Sequence, residues 1–407
     1  MKKIVVRGNK SLSGCVSVGG SKNAALPIIF ASIITHGVSV IENVPNIGDV
    51  SVAIELIESL GARVRREGST LYIDTRELSY REPDASLMSK IRASTYLLGA
   101  MLSRFGVFRA TEFGGCNFSL RPIDMHINAA ISFGAAYRDG VLTADRLVGC
   151  EINFMKVSVG ATVNAIIMSS AAEGTTVIFR AAREPHITSL IEYLNSAGAR
   201  ISQTDDKVVV RGGKLSGGRV RIIGDMIEAG TYLSAALATR GDITVSDFSP
   251  AEISPFLMML TELGAVLSVS ERSVTLSSGR NSRFISVRAN PYPDFPTDLQ
   301  PIAAPLMASR LGGVIIDNVW QSRFGYLDTL SAFGVKSYHK DGFALINKSK
   351  IKRASVSAPD LRGGAASVIC ALIAEGESVI SDAEIIYRGY DSLEEKLRNL
   401  GANIYLN

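Results

Sequence analysis

Apolar residues recur at i, i+3, i+4 and i+7 in three well-separated stretches: Ala53, Leu56, Ile57, Leu60; Ile187, Leu190, Ile191, Leu194; and Phe256, Met259, Leu260, Leu263. That spacing predicts amphipathic helices with one face on a core. Each stretch ends at a glycine (Gly61, Gly198, Gly264), and the same mark recurs at Gly134, Gly334 and Gly401. A residue just past a helix end commonly takes positive φ, which glycine adopts without steric cost. The marks are about 64 to 73 residues apart, which predicts one supersecondary unit of about 68 residues repeated six times. The helix before Gly134 has the weakest pattern.

A second kind of helix precedes each of these. Lys22–Ile34, Ala161–Ala172 and Gly364–Ala374 are rich in alanine and have little polar face, as expected of helices buried all round. Glycine and a β-branched run follow, as in Gly37-Val38-Ser39-Val40 and Gly174-Thr175-Thr176-Val177. Asp139-Gly140 and Asp341-Gly342 stand where hairpin turns are expected. Each unit thus reads as an inner helix, an outer helix and a small sheet, an α/β architecture with internal pseudo-symmetry.

Composition narrows this picture. The chain has 407 residues, which favours two or three domains; 46% are hydrophobic, enough for a sizeable core. A net charge of +4, from 43 Lys+Arg against 39 Asp+Glu, is too mild and dispersed for a nucleic-acid or membrane surface. The first residues, Met1 to Gly8, hold only a short apolar run, so no signal peptide is expected and the reading is cytoplasmic. Cys15, Cys116, Cys150 and Cys370 lie far apart with no CxxC, arguing against zinc or a redox pair.

Candidate chemistry appears at the helix starts. Ser21-Lys22-Asn23, Lys90-Ile91-Arg92, Lys156 to Gly160, Asp225 to Glu228, Pro296-Thr297-Asp298 and Asp360-Leu361-Arg362 each put charge before an inner helix. Helix N-termini carry unpaired N–H groups and favour anions. If the inner helices gather, Lys22, Arg92, Lys156 and Arg362 crowd together, and such a crevice calls for phosphorylated substrates. Any single residue among them also reads as an ordinary cap. Cys116 follows two glycines near Arg121, so its thiol is either inert or drawn toward thiolate. Asp298 is either a helix cap or a base for a hydroxyl proton.

At these residues the chain resembles the UDP-N-acetylglucosamine 1-carboxyvinyltransferases, a branch of the enolpyruvyl transferase family. The matching stretches are Gly19 to Pro27, Gly114-Gly115-Cys116, Arg121-Pro122-Ile123-Asp124-Met125-His126, Lys156 to Thr162, Phe295 to Asp298, Asp360-Leu361-Arg362 and Arg388-Gly389-Tyr390. They run in family order along essentially the whole chain. The resemblance implies a two-lobed enolpyruvyl-transferase fold, an inside-out α/β barrel with three repeats per lobe. Residues 1–20 with 225–407 would form one lobe, and 21–224, carrying the Cys116 loop, the other.

The same resemblance implies transfer of enolpyruvyl from phosphoenolpyruvate to the 3-hydroxyl of UDP-N-acetylglucosamine, the first committed step of peptidoglycan synthesis. It implies no cofactor, metal, nucleic acid, membrane or obligate protein partner. Asp298 would accept the hydroxyl proton, and Cys116 would donate a proton and form an adduct with phosphoenolpyruvate. Lys22, Arg121 and Arg388 would hold the phosphate, and Arg323 and Arg362 the carboxylate. Asn23, Arg92, Arg121, Pro122, Ile123, Asp124, Met125, Lys156, Val157, Ser158, Val159, Asp298 and Val319 would bind the nucleotide sugar. Gly48, His186, Met226, Gln321 and Tyr387 depart from the family pattern, which commonly has charged residues there. They leave open a paralogue acting on another uridine nucleotide or nucleotide sugar, and a non-catalytic nucleotide-sugar binder. His126 reads as structural rather than catalytic.

Overall fold

A computed structural model describes residues 2–109, 114 and 122–407. The chain divides into two compact units. One joins the N-terminal segment to Gly19 with Gly224–Asn407, and the other comprises the described residues from Gly20 to Ile223. Each has its own apolar core.

In the first unit the helices Met226–Ala238, Gln300–Ser309 and Leu361–Ile373 pack on one another at the centre. They are buried along nearly their whole length, as their apolar circumference requires. Three four-stranded sheets cover them. The N-terminal chain supplies one strand to each of two: Ile4–Arg7 lies antiparallel to Glu377–Ser381, and Ser13–Ser17 parallel to Asp242–Ser246. In the third, Ile285–Ala289 runs parallel to Gly313–Asp317. The N-terminal segment is fastened at its end. The Glu228 carboxylate accepts from the Gly19 N–H at 2.8 Å, the Tyr232 hydroxyl at 2.8 Å and Lys396 Nζ at 2.6 Å. Glu228 is buried, so this ion pair compensates a desolvated charge.

In the second unit the inner helices are Lys22–Ala31, Leu97–Phe105 and Val159–Ala171. The first is shorter than expected: a 3-10 turn, Ser32–Ile34, takes its last residues, with the Ser32 and Thr35 hydroxyls donating to the Ile29 and Ser32 carbonyls. Arg92 likewise opens a 3-10 segment, Arg92–Tyr96, rather than the helix itself. Two four-stranded sheets and one three-stranded sheet complete the unit among the described residues.

The outer helices bury the residues their spacing marks: Ala53, Leu56 and Ile57 on Gly48–Ser59, and Ile187, Leu190, Ile191 and Leu194 on Pro185–Ser196. All six marker glycines have positive φ, between 86° and 114°. Asp139 and Gly140 (φ 49° and 79°), like Asp341 and Gly342 (44° and 80°), are left-handed in pairs, so both turns are of type I′. No helix among the described residues is long and apolar enough to cross a membrane.

Gly99 lets two inner helices of the second unit meet. A Cβ there would stand 2.6 Å from Asn164 Oδ1, the oxygen that accepts the Gly99 N–H at 2.8 Å. Gly99→Ala is therefore expected to cost about 1–3 kcal/mol in urea unfolding, as overpacking does. Gly213→Ala, which adds a Cβ in open space, should leave the midpoint in place. Equal midpoints for the two variants would contradict this packing.

Candidate active site

In the first unit Asp298 stands in a 3-10 turn, Thr297–Leu299, ahead of the Gln300–Ser309 helix. Both carboxylate oxygens are engaged. Oδ1 lies 2.7 Å from Arg323 Nη1, and Oδ2 lies 3.2 Å from Arg362 Nη2. The two guanidiniums are almost fully buried, at 6% and 3% exposure, and are tolerable there only with a counter-charge. One carboxylate faces two cations in direct contact, so the cluster favours a further anion. Among the described residues Arg362 Nη1 is buried with no hydrogen-bond partner, and its guanidinium lies 5.3 Å over the Tyr390 ring. Tyr390 is fixed by the Thr231 hydroxyl at 2.8 Å.

The placement of these arginines follows from local structure. Asp360 caps the helix that carries Arg362, accepting from the Arg362 and Gly363 N–H groups, both at 2.9 Å. Arg323 opens a 3-10 turn six residues beyond the strand Gly313–Asp317. Arg323 Nη1 also donates to Thr297 Oγ1 at 3.1 Å, and that hydroxyl donates to Asp317 Oδ2 at 2.7 Å. Val319 follows Asp317 in a turn held by the same carboxylate. Arg388 is half-buried at the end of a 3-10 turn, Ala383–Arg388.

In the second unit Lys22 begins its helix and pairs with Asp49 at 3.3 Å. Asn23 follows it, half-buried. Lys22 is thus offset by a carboxylate on a neighbouring helix. Lys156 and Val157 are exposed before Ser158, which caps the Val159–Ala171 helix by accepting from the Ala161 N–H. Pro122 and Asp124 are exposed, and Ile123 and Met125 are half-buried. Arg92 is partly buried, which lowers its pKa. Cys116 and Arg121 lie outside the described residues.

His126 supports this region. Asn164 Oδ1 accepts from Gly99, so its amide donates to the Thr95 carbonyl at 3.0 Å and to His126 Nδ1 at 2.7 Å. The imidazole proton is then on Nε2, on the ring edge toward Gly160. A Cβ on Gly160 would meet the ring at 2.9 Å, so glycine there admits the histidine against the helix start. Burial, aided by Arg92, depresses the His126 pKa to about 4.

Thr297 and Glu228 stand in helix starts that the sequence marks, but their partners there were not legible, and Asp49 and Asp317 were missed. Signals existed for both missed residues. Asp49 is acidic in the first turn of a helix, and Asp317 ends a β-branched strand. Of the five departures, Tyr387 donates its hydroxyl to Glu394, His186 is buried, and Gln321 packs its side chain beside Gly342.

Residues 6–397 match the family described as EPSP synthase (3-phosphoshikimate 1-carboxyvinyltransferase). The UDP-N-acetylglucosamine 1-carboxyvinyltransferase 2 of Clostridium acetobutylicum is 41% identical over 99% of both chains. The chain belongs to the EPSP synthase family, the enolpyruvyl transferases. A UDP-N-acetylglucosamine 1-carboxyvinyltransferase of Buchnera aphidicola is 37% identical over 99% of each chain. Among solved structures, the enolpyruvyl transferase NikO from Streptomyces tendae superposes with a TM-score of 0.89 at 26% identity, covering 100% of this chain and 99% of that one. An EPSP synthase from Acinetobacter baumannii, at 17% identity and TM-score 0.72 over both full chains, shares the fold.

The environment of His126 in this enolpyruvyl transferase sets a pH dependence. Its folded pKa lies below the unfolded value of 6.5, so the neutral ring contributes stability fully present above pH 6.5. That contribution, on the order of 3 kcal/mol, is lost as pH falls toward 4. The imidazole proton resonances of His126 should therefore show no titration between pH 7 and pH 5. A midpoint near 6.5 would contradict the buried, neutral assignment.

Proposed function

We propose that the chain transfers enolpyruvyl from phosphoenolpyruvate to the 3-hydroxyl of UDP-N-acetylglucosamine, the entry step of peptidoglycan synthesis. Relatives of that name, aligned over nearly the full chain, support this acceptor. Within the chain one observation carries the reading. A carboxylate suited to take a hydroxyl proton is held between two buried arginines, at 2.7 and 3.2 Å.

The chemistry is addition followed by elimination. The sugar oxygen bonds to C2 of phosphoenolpyruvate as Asp298 takes its proton, and Cys116 supplies a proton to C3. The tetrahedral adduct then loses a proton from C3 as the C2–O bond to phosphate breaks. Each guanidinium has five N–H donors, so Arg323 and Arg362 can serve Asp298 and the substrate carboxylate together. Lys22, Arg121 and Arg388 take the phosphate. Asn23, Arg92, Arg121 to Met125, Lys156 to Val159 and Val319 take the nucleotide sugar. Helix N-termini at Lys22 and Val159 favour its diphosphate.

Phosphate release should be seen with phosphoenolpyruvate and UDP-N-acetylglucosamine together, and not when shikimate 3-phosphate replaces the sugar. Turnover only with a different uridine nucleotide would contradict the assigned acceptor. An epoxide phosphonate of the fosfomycin type should add its mass to Cys116, and Cys116→Asp should keep some turnover without that mass shift. An unchanged intact mass of the parent chain would remove Cys116 from the mechanism.

A further inference from the structure

We infer that Asp317 and Thr297 form a relay that positions Arg323 for the substrate carboxylate, making both of them positioning residues for the reaction. This rests on the role proposed for Arg323 above. Asp317 is fully buried at the end of the Gly313–Asp317 strand, and its two oxygens do different work. Oδ1 accepts from the Val319 and Trp320 N–H groups at 2.9 and 2.8 Å, which closes the turn after the strand. A turn of this kind needs only that oxygen. Oδ2 instead accepts from the Thr297 hydroxyl at 2.7 Å, twenty residues away and adjacent to Asp298.

The relay has a direction. A carboxylate can only accept, so Thr297 must spend its single proton on Asp317. Only its lone pairs remain for Arg323, whose Nη1 donates to Thr297 at 3.1 Å and meets Asp298 at 2.7 Å. The guanidinium plane is therefore fixed by two acceptors, one of which is oriented by the buried charge. Burial raises the Asp317 pKa, while its hydrogen bonds to Trp320, Thr297 and Val319 and the nearby Arg323 oppose that rise.

Steady-state kinetics of four variants test this. In Asp317→Asn the amide oxygen can still close the turn, but its NH₂ faces Thr297 and reverses the link. Thr297→Val keeps the shape and removes the link. Each should raise KM for phosphoenolpyruvate roughly tenfold, the loss of about one charged hydrogen bond, with KM for UDP-N-acetylglucosamine almost unmoved. Thr297→Ser should recover most of the loss. The Thr297→Val/Asp317→Asn double variant should cost no more than either single change, because both cut one path. Unchanged KM for phosphoenolpyruvate in Thr297→Val, or additive losses in the double variant, would overturn the relay while leaving parent turnover intact. Absence of turnover in the parent chain would overturn the functional reading and the relay with it.

Discussion

Two guanidiniums buried against a single carboxylate set the terms for the first unit. Removing such charges from water costs several kcal/mol per ion, and the cost is tolerable only where opposite charge and good donors compensate. Asp298 supplies the counter-charge, and three separate elements must converge to bring it there. The 3-10 turn before the Gln300–Ser309 helix holds Asp298, the turn beyond the Gly313–Asp317 strand leads to Arg323, and the Asp360-capped helix start carries Arg362. The inner helices of this unit, two of which carry Asp298 and Arg362 at their starts, pack on one another.

The second unit uses charge more sparingly. Lys22 is offset by Asp49, Arg92 is partly desolvated, and His126 is kept neutral beneath the Val159–Ala171 helix start. A neutral imidazole against the Val159–Ala171 helix start supports the backbone without adding a second titrating charge. The proposed division of labour follows from this: arginines on a fixed carboxylate in one unit, helix starts in the other.

Much of this was legible in the chain. The outer-helix spacing placed Leu56, Leu190 and Leu260 in cores, and the glycines marked left-handed helix ends, because both signals arise from local geometry. The helix starts pointed to Asp298 and Arg362 for the same reason. What stayed hidden depends on contacts distant in sequence. Nothing near Thr297 announces Asp317, and nothing near Gly19 announces Glu228 or Lys396. The helix starts did not announce that Lys22 is compensated, because its partner Asp49 lies on a different helix, 27 residues away. Asp225 and Asp360 carry charge at helix starts as expected, yet each spends its carboxylate on capping.

In the proposed mechanism Asp298 acts on the proton while its arginine partners hold the substrate carboxylate. Calorimetric titration of phosphoenolpyruvate into Asp298→Asn, beside a turnover assay of the same protein, tests it most directly. Binding should persist within a few-fold of the parent while turnover falls by about 10²–10⁴, the range for loss of a general base. Retained turnover, or binding abolished together with turnover, would contradict it.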